Sequence, residues 1–252
     1  MGSSFAAGPG IGRRAQGSTA AARRSGENYA HLVAGTLGLD LVDVTHSGAT
    51  TANVLAEPQG GEPPQLDALT GAERLVTITI GGNDIGYVQG LMAASLPAFA
   101  RGLPVLRDRL GPLLDRASID DRLRVLDTAM RSVAGRVRDR APKARVVFVE
   151  YLTVLPDVPS VRTRPISRDL AAVCRYVADR LAAITADAAC TEGCEVVHAA
   201  QASMAHHAWS ARPWTTRLTV PLPGRPAPYH PNRDGMRAVA AMVATHLNRA
   251  GR

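Results

Sequence analysis

Leu75-Val76-Thr77-Ile78-Thr79-Ile80-Gly81-Gly82-Asn83-Asp84 is the stretch on which the fold turns. Its first six residues are leucine or β-branched, with no polar side beyond two threonines. Such a run predicts a strand covered on both faces. The two glycines then allow a tight turn and close approach of another group. Working outward, Leu39–Val44 and Val146–Val149 predict two further buried strands, and Glu195–Ala199 a weaker fourth. Helical spacing lies between them. Ser118 is expected to cap a helix with Leu123, Leu126, Met130, Val133 and Val137 on one face. Ser167 is expected to cap another, with Leu170, Cys174, Val177, Leu181 and Ile184 inward. A last helix is expected from Asp234 to Asn248, facing inward through Met236, Val239, Val243 and Leu247. Strands alternating with helices predict an α/β fold: a three-layer sandwich with a mostly parallel sheet between helices. Ligands in such folds bind at the carboxyl ends of the strands, where the glycine turns fall.

A chain of 252 residues is long enough to bury one sizeable core, and residues 1–252 read as one domain. The formal charge is +7, and Lys143 is the only lysine among 29 basic residues. The arginines are interleaved with acids and form no basic arm, so the charge reads as solvated surface. Nucleic acid is not an expected partner, whereas peripheral contact with an anionic lipid surface is compatible. No charged-then-apolar leader and no long apolar run occur. The chain as given is expected to be cytoplasmic, or secreted if it is a mature form. Cys174 falls on a core stripe. Cys190 and Cys194 either pair across three residues or stay reduced along with it. Glu57–Gln65 and Trp214–Tyr229, rich in proline, read as loops, and the second is placed to line a pocket.

Four short segments carry candidate chemistry. Ser4, in Gly2-Ser3-Ser4-Phe5-Ala6-Ala7-Gly8, is a candidate nucleophile because its small neighbours leave room for an acyl group. A helix starting there would aim backbone N–H groups at a developing oxyanion. Ser3 is the runner-up. Asn83 offers a side-chain amide donor, and Gly48, in His46-Ser47-Gly48-Ala49-Thr50, a backbone one. His230, in Tyr229-His230-Pro231-Asn232, has the pKa range of a general base. His46, His206 and His207 compete for that role. No histidine or carboxylate stands at a ligand spacing, so neither a metal nor an organic cofactor is expected. Each segment alone reads as well as a turn or a surface loop. Phe5, Ile11, Ile85, Tyr87, Trp209 and Trp214 read first as core and second as an apolar substrate wall.

Together the segments resemble the SGNH hydrolase superfamily, the GDSL lipases and esterases, nearest its actinobacterial lipase-like branch. Gly2, Ser4 and Gly8 match its nucleophile motif, with Ser3 where the family has aspartate. Gly48 matches its oxyanion glycine, and Gly81 to Asp84 its Gly-x-Asn-Asp motif. His230 falls on the histidine of its Asp-x-x-His motif, but Ala227 replaces the aspartate. The strand running into Glu150–Pro156 also matches that branch. The resemblance implies a flavodoxin-like sheet and a monomer that cleaves carboxylic esters of lipid or short-chain acyl type. It implies an acyl-serine on Ser4, an oxyanion site of Ser4, Gly48 and Asn83, and a Ser-His dyad. In such dyads a backbone carbonyl two residues before the histidine, here that of Pro228, orients the ring. Asp84 and Asp234 are the alternative acids. Acyl transfer to an alcohol, deacetylation of carbohydrate and a catalytically silent binding role remain alternatives on the same fold. Family members carry a strand into the nucleophile motif. Only Met1 precedes Gly2 here, so weak anchoring of that turn is expected.

Overall fold

The computed structural model describes residues 1–157, 161–220 and 224–249. Its elements are α1 (Ser4–Ala7), α2 (Tyr29–Leu37), α3 (Thr51–Leu55), β1 (Leu75–Ile78), α4 (Tyr87–Ser95), α5 (Ala98–Arg101), α6 (Pro104–Leu114), α7 (Arg116–Arg140), β2 (Arg145–Val149), α8 (Arg168–Thr191), β3 (Glu195–Val197), α9 (Ala199–Ala202) and α10 (Arg233–Arg249). The strands lie in the order β1-β2-β3, all parallel, with Leu75 opposite Arg145 and Val147 opposite Glu195.

The side-chain alternation of β2 shows why these runs lack a polar face. Val146 and Phe148 join the core made with α7 and α8, through Leu126, Met130, Leu181 and Ile184. Val147 and Val149 join a second core made with α2 and α10, through Tyr29, Val33, Met236, Val239 and Val243. The result is helix, sheet, helix, with the central strand β2 buried on both faces.

Helix starts follow local chemistry. Ser167 accepts from the Leu170 N–H at 3.4 Å, as its position predicts. Ser118 does not cap α7. The Asp115 carboxylate accepts the Ser118 N–H at 2.8 Å and starts the helix at Arg116, a full charge at the positive helix end. Asn232 accepts the Gly235 N–H at 2.9 Å at the start of α10. The sequence reading did not anticipate α2, α4 or α6. Cys174 is buried, its thiol pushed up to about 12 by burial, and all three cysteines are free.

Leu39–Val44 is not a strand. It is extended but unladdered, and Leu39, Leu41 and Val42 are exposed. The reason lies in what stands between it and β1. Met1–Ser3 run along Thr77–Thr79: the Met1 amine donates to the Thr77 carbonyl at 2.9 Å, and the Ser3 N–H to the Thr79 carbonyl at 2.8 Å. The outward backbone of Gly2 is claimed by a side chain. Gln65 accepts the Gly2 N–H at 2.6 Å and donates back to its carbonyl at 3.0 Å. Among the described residues, only the His46 N–H also reaches that carbonyl, at 3.0 Å. Residues 39–44 therefore have no continuous backbone partner, and of their apolar side chains only Val44 packs against the core while Leu39, Leu41 and Val42 stay exposed.

Candidate active site

Ser4 opens α1, and Gly8 closes that single turn in a left-handed conformation. Gly2 sits at φ 132° against Thr79, a place a side chain cannot occupy. The turn after β1 is built as tightly. A Cβ on Gly82 would stand 2.7 Å from the Tyr151 ring. The Tyr151 hydroxyl takes the Gly82 N–H at 3.1 Å and bonds Ser3 Oγ at 2.7 Å. Tyr151 thus ties the serine turn to the Gly-Gly-Asn-Asp turn, and it engages the runner-up Ser3 in doing so.

His230 arrives from the other end of the chain. Its Nε2 lies 2.7 Å from Ser4 Oγ and its Nδ1 2.7 Å from the Pro228 carbonyl oxygen. A carbonyl can only accept, so Nδ1 carries the proton and Nε2 is left as the acceptor for the serine hydroxyl. The preceding Tyr229 holds a left-handed φ of 60°, is fully buried, and shares a 2.5 Å hydrogen bond with Ser95 at the end of α4. That anchor turns the Pro228–His230 segment back onto α1. Phe5 packs against the imidazole with ring centres 5.1 Å apart.

Burial pushes the His230 imidazole down from 6.5 to about 4, the Pro228 carbonyl opposing and the Arg23 charge adding to the depression. The ring is neutral through the neutral range, as a base must be. The shift also enters stability. Below pH 6.5 the unfolded chain takes up a proton that the folded ring refuses until about pH 4. The stabilisation linked to this group is therefore complete above pH 6.5 and lost as pH falls towards 4, about 3 kcal/mol in all. In His230→Gln the decline in urea unfolding free energy between pH 6.5 and 4 should be shallower by about that amount. An identical decline in both proteins would refute this.

Ser4, Gly48, Asn83 and His230 line one cavity of about 460 Å³. Among the described residues the N–H groups of Ser4 and Gly48 have no acceptor. One Asn83 amide hydrogen goes to the Ala49 carbonyl at 2.9 Å, which leaves the other for a ligand. Unspent donors in a half-dry cavity are what an oxyanion requires. The competing assignments fall elsewhere. His46 bonds the Ser47 carbonyl, His206 the Arg212 carbonyl, and His207 accepts the Trp209 N–H; none touches Ser4. Asp84 receives the Thr51 N–H and hydroxyl, and Asp234 faces Arg237 at 3.7 Å. Neither reaches His230.

Phe5, Ile11, Ile85 and Tyr87 are core, and neither they nor Trp209 and Trp214 line the cavity. Its apolar wall is Val88, Met92 and Ala93 of α4 and Leu96 just beyond it, with Leu110 of α6. Of the loop 214–229, Ala227 and His230 beyond it reach the cavity, and residues 221–223 lie outside the described residues. Sequence reasoning missed Gln65, Tyr151, Tyr229 and Arg23. Only Gln65 and Arg23 had a local signal, in a proline-rich loop and in an arginine pair, and neither is specific.

The GDSL-like lipase/acylhydrolase family profile matches residues 1–238. The chain is 33% identical over 226 residues to Lipase 2 of Streptomyces coelicolor, covering 86% of this chain and 74% of that protein. Its fold is similar to phospholipase A1 from Streptomyces albidoflavus NA297, with a TM-score of 0.73 at 24% identity over 97% of this chain and 95% of that one. The extracellular lipase from Streptomyces rimosus is as near in fold, with a TM-score of 0.71 at 24% identity over 97% and 96%. An α/β sandwich with a parallel sheet, a profile spanning the sequence motifs and a lipase relative agree, and the chain belongs to the GDSL-like lipase/acylhydrolase family of ester hydrolases.

Proposed function

We propose that residues 1–252 act as one catalytic domain that cleaves carboxylic esters through an acyl intermediate on Ser4, with His230 as base in a Ser-His dyad. The hydrogen-bonded chain from Ser4 Oγ through His230 to the Pro228 carbonyl carries the reading. Ser4 Oγ attacks the ester carbonyl carbon as its proton passes to His230 Nε2. The oxyanion is held by the N–H groups of Ser4 and Gly48 and by the Asn83 amide. The tetrahedral centre collapses, His230 protonates the departing alcohol, and the acyl group remains on Ser4. His230 then takes a proton from water, the water oxygen attacks, and the second tetrahedral centre collapses as His230 returns the proton to Ser4 Oγ and the carboxylic acid leaves. The Pro228 carbonyl keeps the ring's tautomer and carries part of the imidazolium charge that an aspartate would carry in a triad.

The acyl group belongs on the side of Val88, Met92, Ala93, Leu96 and Leu110, a wall suited to a hydrocarbon chain longer than acetate. A lipid surface suits the same end. Phe99, Leu103 and Val105 on and between α5 and α6 are 79%, 53% and 67% exposed beside that wall, with Arg101, Arg107 and Arg109 among them.

A serine-directed fluorophosphonate tests the assignment. One adduct per chain is expected, mapped by peptide mass to Ser4 and suppressed by excess nitrophenyl butyrate. An adduct on Ser3, or on no serine of this segment, would overturn it.

A further inference from the structure

Ser47 and Gly48 form one wall of the catalytic cavity. Among the described residues, every backbone N–H from His46 to Thr50 has an acceptor except one. His46 donates to the Gly2 carbonyl, Ser47 to the Ala22 carbonyl, Ala49 to the His46 carbonyl and Thr50 to the Asn53 side chain, each at 3.0 Å. The exception is Gly48. Its N–H belongs to the same peptide unit as the Ser47 carbonyl, and a trans peptide points the two in opposite directions. Whatever grips the Ser47 oxygen therefore aims the Gly48 N–H.

Two side chains grip it. His46 Nδ1 lies 2.9 Å from that oxygen, and Gln59 Nε2 donates to it at 3.1 Å. His46 and Gln59 line a second cavity of about 380 Å³ and not the catalytic one, whereas Ser47 and Gly48 line the catalytic one and not the second. The oxygen end of the peptide thus lies on one side and its N–H end on the other. Each side chain is committed to this one contact: among the described residues, His46 Nε2 and Gln59 Oε1 are buried without a partner. Apolar side chains of similar size would avoid that desolvation cost if packing alone were needed. The turn that carries Gln59 is shaped for the contact. Gln59 and Glu62 exchange backbone hydrogen bonds at 2.9 and 3.0 Å, and Gly60 and Gly61 between them hold φ of 59° and 82°. A Cβ on Gly60 would stand 2.7 Å from His46 Nε2.

We propose that His46 and Gln59 are positioning residues that set the Gly48 oxyanion donor by jointly holding the Ser47 carbonyl. The inference rests on the acyl-serine reading with Gly48 as a donor, and adds what aims that donor. The carbonyl only accepts, so His46 Nδ1 carries the proton. Two donors on one oxygen fix the plane of the peptide, so its N–H needs no reorientation when charge develops in front of it. They also polarise the peptide, which makes the N–H a better donor. With one of them gone, the peptide can tilt about the remaining tether.

The experiment compares turnover of nitrophenyl butyrate with binding of two ketones of the same acyl chain. A trifluoromethyl ketone takes Ser4 Oγ onto its carbonyl carbon; the serine proton passes to His230 and the carbonyl electron pair to the oxygen, which becomes an oxyanion. The matching methyl ketone stays trigonal. Gln59→Leu and His46→Leu each remove one donor at similar volume and should lower kcat by about 10-fold. The double variant should lose about 10²-fold, near the loss expected when an oxyanion donor is removed outright. KM should hold, because acylation and deacylation both pass through an oxyanion and slow together. Ki for the trifluoromethyl ketone should rise in step with the fall in kcat, while Ki for the methyl ketone stays constant. His46→Asn puts an amide nitrogen in the place of Nδ1 and should recover most of the kcat lost in His46→Leu. Gln59 is half-buried on a turn, so Gln59→Leu reports even where a change at buried His46 unfolds the protein. Wild-type kcat in Gln59→Leu, a loss carried by KM or shared equally by both ketones, or no recovery in His46→Asn overturns the proposal with ester hydrolysis intact. A wild-type protein that forms no trifluoromethyl ketone adduct on Ser4 overturns both.

Discussion

Ser4→Ala is expected to lower kcat/KM for a nitrophenyl ester by at least about 10⁴-fold, to a residue of activity from the remaining oxyanion donors. The oxygen removed is the one 2.7 Å from His230 Nε2, and Ser3 cannot replace it, being held by Tyr151 on the other side of the turn. His230→Ala should cost a similar factor, and the double variant should be little worse than either, because the two act as one unit. Asn83→Ala should be milder, about 10²- to 10³-fold in kcat with KM nearly unchanged, since its amide serves charge that exists only in the transition state. The ladder is read from steady-state kinetics on variants whose circular dichroism matches wild type. Ser4→Ala turning over at more than a hundredth of the wild-type rate would sink the nucleophile assignment.

Gly2→Ala is expected to damage stability and activity together. At φ 132° a Cβ would be driven into the Thr79 carbonyl and to 2.9 Å from the Thr79 nitrogen. Both are backbone atoms of the sheet and cannot swing away. Relief requires Met1–Ser3 to leave β1, which breaks the bonds of Met1 and Ser3 to Thr77 and Thr79 and the clamp of Gln65 on Gly2. A loss of about 3 kcal/mol or more is expected in urea unfolding, with about 10²-fold or more in kcat, because Ser4 lies two residues on. Gly48→Ala gives the contrast. Its φ of 83° is also left-handed, but the nearest obstacle is the Gln59 side-chain nitrogen at 3.5 Å, so its penalty should be mainly conformational and near 1 kcal/mol. Equal unfolding midpoints for wild type and Gly2→Ala would show that the turn is not anchored as described.

Much of the layered fold could be read directly. The β1 and β2 runs are apolar on both faces because helices cover both, and the stripes of α7, α8 and α10 recur every three to four residues because one side of each is buried. Leu39–Val44 has the same local signature and failed for a non-local reason: a strand is made by its neighbour's backbone, and here that neighbour is three residues and a glutamine side chain. The start of α7 was misplaced because Ser118 and Asp115 are both competent caps, and the nearer-to-start carboxylate prevails.

The sequence by itself determined which chemical groups exist and where turns must fall: a serine among small residues, Gly-Gly-Asn-Asp after a strand, and a histidine before the last helix. Such signals are local, written in φ preference, side-chain size and spacing. Only the tertiary structure decided which of these meet. It chose His230 over His46, His206 and His207, gave its Nδ1 to the Pro228 carbonyl instead of to Asp84 or Asp234, and put Val88, Met92 and Leu96 rather than Phe5 and Tyr87 along the cavity. Those outcomes depend on contacts across as many as 226 positions of chain, between Ser4 and His230. No local preference encodes a distance of that kind; it follows from how the sheet and the buried Tyr229 anchor bring the chain ends together.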